Sequence, residues 1–250
     1  MCHLLDESYI RAVRLDRERV PSFGVYPFSL PLVSALESVE LHPAVTFFVG
    51  ENGSGKSTLL EAIAAAWGLN PEGGSRNFSF ATRESHSDLH DFLTLVKSTT
   101  RPLDAFFYRA ESFFNVATEI ERLDTGGGGP KIIGAYGGRS LHEQSHGESL
   151  ISLVSKRFRN GGLYILDEPE AALSPRGVMS LLAAMRRLAE GGAQFIVATH
   201  SPMLICYPEA TLYELDAGAL RERHYSETEL FQVSRRFLRD PVRILEELFR

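Results

Sequence analysis

Ala44-Val45-Thr46-Phe47-Phe48-Val49-Gly50-Glu51-Asn52-Gly53-Ser54-Gly55-Lys56-Ser57-Thr58-Leu59-Leu60 begins as an unbroken apolar run of strand length and passes straight into a glycine-rich turn. Six successive residues rich in β-branched and aromatic side chains predict a strand buried on both faces, as in a parallel sheet. After the turn, Ser57 to Trp67 is dominated by Leu and Ala and reads as a helix ended by Gly68 and Pro71. Gly50 to Ser57 matches GxxxxGK[ST] in full, between strand and helix as the phosphate-binding mechanism requires. Gly50, Gly53 and Gly55, with Glu51, Asn52 and Ser54 between them, let successive backbone N–H groups turn toward phosphate oxygens, and the helix dipole adds partial positive charge there. Lys56 supplies the point charge for β- and γ-phosphates, Ser57 offers a hydroxyl to Mg²⁺, and Thr58 is an adjacent contact. Lysine recurs only at Lys97, Lys131 and Lys156, so its place after Gly55 is not a by-product of a lysine-rich chain.

Working outward, Leu163-Tyr164-Ile165-Leu166-Asp167-Glu168-Pro169 is a second buried strand, ending in two acids. Strand neighbours point to opposite sides, so the acids can hold different tasks. Asp167 would reach Mg²⁺ beside Ser57, and Glu168 would orient or deprotonate an attacking water, a contribution of roughly 10²–10⁴-fold. Taken alone, Asp-Glu-Pro is also an ordinary turn. Helix Pro175 to about Ala189 and strand Gln194 to Ala198 continue a β-α-β rhythm, and strands on either side of Asp216-Ala217-Gly218 form a hairpin. Tyr9 to Leu15 alternates as a half-buried N-terminal strand. Between about 72 and 160 the pattern is looser, with a strand at Ala105-Phe106-Phe107-Tyr108, helices on either side and a glycine run at 126–129; it reads as an inserted, mostly helical lobe. The expected fold is α/β with a mostly parallel central sheet, one domain over 1–250.

Gly50 to Thr58 and Leu163 to Pro169 together resemble the Walker A and extended Walker B motifs of ABC-type P-loop ATPases, and further elements follow in the family's order. Gln144-Ser145-His146-Gly147-Glu148 sits where that superfamily carries its LSGGQ signature; Ser145, Gly147 and Glu148 match by position, and Gln144 and His146 depart. Ser145 with Glu148 also forms a capping box for an amphipathic helix. The resemblance implies that this helix start faces the γ-phosphate held by a second subunit, giving an ATP-sandwiched homodimer. His200 resembles the switch histidine of the family, though His200-Ser201-Pro202 also suits a plain helix start. Ser174 stands at the D-loop position where Asp is common. No glutamine other than Gln144 lies between the two Walker motifs, which leaves Glu111 as the substitute for the Q-loop residue; Phe23, Tyr26 and Phe28 are the aromatics available to adenine. The chain is similar to stand-alone ATPases of the AAA_21 and AAA_23 type, which share a core design with SMC and RecF-like proteins. ATP and Mg²⁺ are the implied cofactors, Lys56, Glu168 and His200 the implied catalytic residues, and Ser57 and Asp167 the implied metal ligands.

Composition bounds the rest. At 250 residues and 44% hydrophobic content the chain can bury a large core. It has no apolar run of eighteen residues, and its start has neither a basic region nor a long apolar one, so a cytoplasmic protein is expected. Cys2 and Cys206 form no metal-like or disulfide framework, and His86 and His90 with Asp88 and Asp91 read as a solvated helix face rather than a metal site. A net charge of −6 excludes a wholesale basic coat, leaving Lys156-Arg157-Phe158-Arg159 as a local patch. The expected role is ATP hydrolysis by a soluble dimer that clamps or moves nucleic acid or a protein partner. The alternative is the nucleotide-binding subunit of a transporter, with the membrane partner on another chain. A small-molecule kinase ranks last, because it gives the signature and His200 no task.

Overall fold

The computed structural model describes residues 8–75, 87–113, 146–216 and 218–250, with isolated positions at 115, 118, 122, 124 and 134. Five parallel strands and one antiparallel edge form the central sheet. In chain order these are β3 (Val45–Val49), β5 (Asp104–Arg109), β6 (Gly162–Asp167), β7 (Gln194–Ala198), β8 (Thr211–Asp216) and β9 (Ala219–Glu222), arranged β5-β6-β7-β3-β8-β9. The first five are parallel, and β9 pairs antiparallel with β8 as the expected hairpin. A second sheet of three antiparallel strands joins β2 (Ser38–Glu40), β1 (Ile10–Leu15) and β4 (Leu93–Lys97) in that order.

Strand alternation divides the core in two. Val45, Phe47 and Val49, with Tyr164, Leu166, Phe195 and Val197, pack against α3 (His146–Lys156) and α4 (Pro175–Glu190). Phe48, Leu163, Ile165, Ile196 and Ala198 face the other way, onto α2 (Lys56–Trp67), the short α1 (Pro31–Ala35) and the small sheet. With helices on both faces every central strand is buried, which is why β3, β6 and β7 read as continuous apolar runs. On α2, Leu59, Leu60 and Ile63 are fully buried; each contributes roughly 1.5–3 kcal/mol of transfer free energy, and together they fix the helix against the sheet. Ser174 Oγ caps α4 at Gly177 N (3.2 Å), and Thr228 and Asp240 cap the closing helices α5 (Glu229–Arg239) and α6 (Pro241–Leu248).

One expectation changes. The stretch before Ala105 reads from sequence as helical without defined bounds, but within it Leu93–Lys97 is the strand β4, which pairs along β1 from Leu15↔Leu93 to Ile10↔Lys97. His90 accordingly lies in a 3₁₀ turn, Asp88–Phe92, rather than on a helix; His86 and the glycine run at 126–129 fall outside the described residues. Among the described residues, no group of three metal-competent side chains forms, and no helix is long and apolar enough to cross a membrane.

Candidate functional site

The site assembles where the C-terminal ends of β3, β6 and β7 meet the start of α2, so residues distant in sequence converge at one edge of the sheet. Gly53 (φ 77°) and Gly55 (φ 103°) hold left-handed backbone, and a Cβ on Gly55 would come within 3.0 Å of Leu30. Leu32 N donates to Ser54 O at 2.8 Å, so α1 buttresses the turn from behind. The start of α2 has neither a capping side chain nor an acidic residue in its first turn, unlike α4, α5 and α6. Its leading N–H groups are therefore left to an anion.

Lys56 is 3% exposed and lies back over the loop, its ammonium donating to Gly50 O (2.8 Å) and Glu51 O (2.9 Å). Burial lowers its pKa, against the opposing pull of Glu168, Asp167 and Glu170. One helical residue on, Ser57 Oγ donates to Asp167 Oδ1 at 3.0 Å. This hydroxyl and carboxylate are hard oxygen donors converging on one point, a set that suits Mg²⁺. Burial raises the Asp167 carboxyl from 3.8 to about 7, ahead of the Ser57 hydrogen bond and the Arg109 charge, which lower it.

That shift carries a pH signature. Because the folded value exceeds the unfolded one, the stability tied to the proton on Asp167 is fully present below about 3.8 and is lost as pH rises through about 7. In nucleotide-free protein, Asp167→Asn is expected to remove the part of the decline in melting temperature that lies between these values, read by thermal melts of both proteins across that range. Parallel pH profiles would refute the assignment.

Glu168 and Asp167 diverge because Glu168 leaves the strand altogether, adopting left-handed backbone at φ 49°, rather than by the strand alternation expected from sequence. Such a conformation costs a non-glycine residue of order 1–3 kcal/mol and concentrates at functional sites. Glu168 N is held by Ala198 O (3.0 Å) on the next strand. His200 Nε2 sits 3.5 Å from Glu168 Oε1, too loosely placed for a hydrogen bond, and is buried without one. Burial first, and Lys56 second, lower the imidazole pKa, which favours a neutral ring at neutral pH. A phosphate-sized anion beside Lys56 and the α2 N-terminus would thus meet a carboxylate, a neutral imidazole and a hydroxyl–carboxylate pair within one cluster.

The motifs reach beyond this cluster in the match to known families. Residues 24–133 match the family described as "AAA domain", and residues 134–205 match "AAA domain, putative AbiEii toxin, Type IV TA system". The chain is a P-loop ATPase, similar to the ABC type. This ATPase is 28% identical over 194 residues to a "Putative ABC transporter ATP-binding protein TTE0246" of Caldanaerobacter subterraneus, covering 69% of this chain and 77% of the relative. It is 26% identical over 200 residues to the "Ribose import ATP-binding protein RbsA" of Halalkalibacterium halodurans, covering 72% of this chain and only 38% of that relative's length. Among solved structures it is similar to cbiO1 from Clostridium perfringens, "Part of the ABC transporter complex cbiONQ", at 18% identity and a TM-score of 0.45, covering 86% of this chain and 92% of that one.

In this ATPase the signature region is described only from His146 onward, so Ser145 and its capping box lie outside the described residues. Gly147 and exposed Glu148 begin α3, and a Cβ on Gly147 would meet Ala172 O at 2.6 Å. Glycine is thus required there by packing within one chain. Of the three aromatics near the loop, Phe28 packs edge-on to Phe92 (4.9 Å) and Phe23 lies under Arg17 (4.3 Å), whereas Tyr26 is 63% exposed. Within the basic patch Arg157 Nη2 bonds Asp104 (2.8 Å) and Phe158 stacks on Tyr164 (3.9 Å), while Lys156 and Arg159 stay exposed.

Three residues escaped the reading of the sequence. Glu170 Oε1 accepts from Thr199 Oγ1 (2.7 Å) and His200 N (2.6 Å), tying the turn after β6 to the turn after β7. Arg109 and Glu61 form an ion pair at 2.7 Å next to Asp167. Glu111 carries a side chain that is 84% exposed and, among the described residues, lies 3.6 Å from Arg109. The ATPase therefore places an arginine, not Glu111, beside the Walker B aspartate.

Proposed function

We propose that the chain binds Mg·ATP on the Gly50–Thr58 turn and hydrolyses it with Glu168 as general base. The observation that carries this reading is the 3.0 Å contact between Ser57 and Asp167 at the foot of an uncapped helix, with Glu168 and His200 adjacent. Lys56, now resting on two loop carbonyls, exchanges them for the β- and γ-phosphate oxygens, trading neutral acceptors for charged ones. Backbone N–H groups from Gly50 to Thr58 hold the remaining phosphate oxygens. Ser57 and Asp167 would hold Mg²⁺, which would neutralise phosphate charge there. Glu168 takes the proton of the attacking water, and His200, kept neutral, donates a hydrogen bond toward the γ-phosphate.

Ser145, Gly147 and Glu148 of the signature stretch complete the site of a second copy in a head-to-tail homodimer formed on ATP binding. The chain then acts as one ATPase domain over 1–250, with the stretch 72–160 carrying the signature. In the cytoplasm its cycle closes and opens the dimer on a nucleic-acid or protein cargo. A second reading is supported by the relatives' descriptions as transporter and ribose-import ATP-binding proteins: this chain would be the nucleotide-binding subunit of a transporter whose membrane part is a separate chain.

Sedimentation of the purified chain with Mg·ATP, followed by recovery of its native complexes, tests these readings. A shift from monomer to dimer only with nucleotide supports the sandwich, and persistent monomer refutes it. Recovery with nucleic acid or a soluble protein supports the first role, and recovery with an integral membrane protein supports the second.

A further inference from the structure

We propose that Arg109 is a positioning residue for the Mg²⁺ site, anchored by Glu61 on α2 and holding the Asp167 carboxylate with Oδ1 turned to Ser57. This rests on the Mg·ATP reading above and adds to it a pair of residues that none of the motifs contains. In the parallel pairing of β5 with β6, Arg109 is the register partner of Asp167, so the two side chains emerge side by side at the strand ends. The guanidinium Nε lies 3.8 Å from Asp167 Oδ2, while the other oxygen, Oδ1, accepts from Ser57. One carboxylate is thereby divided between a fixed cation on one oxygen and the metal position on the other.

The anchor comes from the same helix that carries Ser57. Glu61 is four residues further along α2, hence on the same face, and its Oε2 accepts from Arg109 Nη1 at 2.7 Å. Glu61 is 7% exposed, and its second oxygen accepts from Ser87 N at 3.4 Å. Ser57 and Arg109 are therefore both referred to α2, and Asp167 is held between them. A buried ion pair kept only for stability could be replaced by apolar side chains of similar volume at little cost. Arg109 Nε also remains buried without a hydrogen bond, a donor that small movements of Asp167 would satisfy. These features fit a pair retained to orient a ligand carboxylate.

The test uses Glu61→Met/Arg109→Met, which removes both charges together and avoids stranding either one, alongside Arg109→Lys, which keeps the charge but loses the planar fork. Binding of a fluorescent ATP analogue is followed in EDTA and then as Mg²⁺ is titrated, with thermal melts to check folding. Groups that orient a metal ligand typically alter metal affinity about 10–100-fold, and a shift of that size in the Mg²⁺ midpoint is expected for the double variant, with affinity in EDTA unchanged. Arg109→Lys should shift the midpoint in the same direction by less. If the wild type shows Mg²⁺-dependent uptake and a folded variant, double or Lys, keeps the wild-type midpoint, the positioning role is overturned while the proposed function stands. If the wild type takes up no nucleotide at all, both fall.

Discussion

Glu168→Gln is expected to bind Mg·ATP as the wild type does and to lose turnover by roughly 10²–10⁴-fold, the range for removal of a general base. The substitution is nearly isosteric, and the left-handed backbone at Glu168 is held by its N–H bond to Ala198 O, which a glutamine retains. What disappears is the capacity to accept a proton. The side chain is 38% exposed, so water reaches it, and His200 Nε2 at 3.5 Å makes no hydrogen bond that could stand in. Single-turnover phosphate release, with nucleotide binding measured in parallel, separates the two effects. Unchanged turnover would remove Glu168 from the chemistry, and lost binding would show that the residue serves the pocket rather than the reaction.

The second large effect is on affinity. Lys56→Ala should weaken nucleotide binding on the order of 100-fold or more, since hydrogen bonds to charged groups contribute about 1.5–3 kcal/mol each and this ammonium can reach two phosphates. Folding should change far less. The wild type already bears the cost of a buried ammonium, visible in its lowered pKa, which the contacts to Gly50 O, Glu51 O and Ser54 Oγ and the nearby carboxylates only partly offset. Calorimetric titration with ATP against a thermal melt gives both quantities. Near-normal affinity in a folded variant would mean that phosphate does not lodge on this turn.

What could be read in advance follows the range of each interaction. The strand, turn and helix around Gly50–Ser57 depend on local composition and glycine placement, and they stand where expected. The same holds for the buried strand ending in Asp167 and for the capped helix after Ser174. Leu93–Lys97 carries no strand signal in sequence because it joins a small, partly exposed sheet, where its half-buried residues give no clean alternation. Glu61, Arg109 and Glu170 gave no signal, since an isolated charged residue in sequence is normally a solvated one.

The sequence by itself determined that this is a phosphate-binding α/β ATPase, because a loop whose backbone amides must converge leaves its glycines and its lysine in one contiguous stretch. Only the tertiary structure decided which charges meet. Parallel pairing sets Arg109 beside Asp167, and helix α2 brings Glu61 to both, through contacts spanning 48 residues between Arg109 and Glu61 and 110 between Ser57 and Asp167. Such pairings are fixed by strand order and register, which no local pattern of residues encodes.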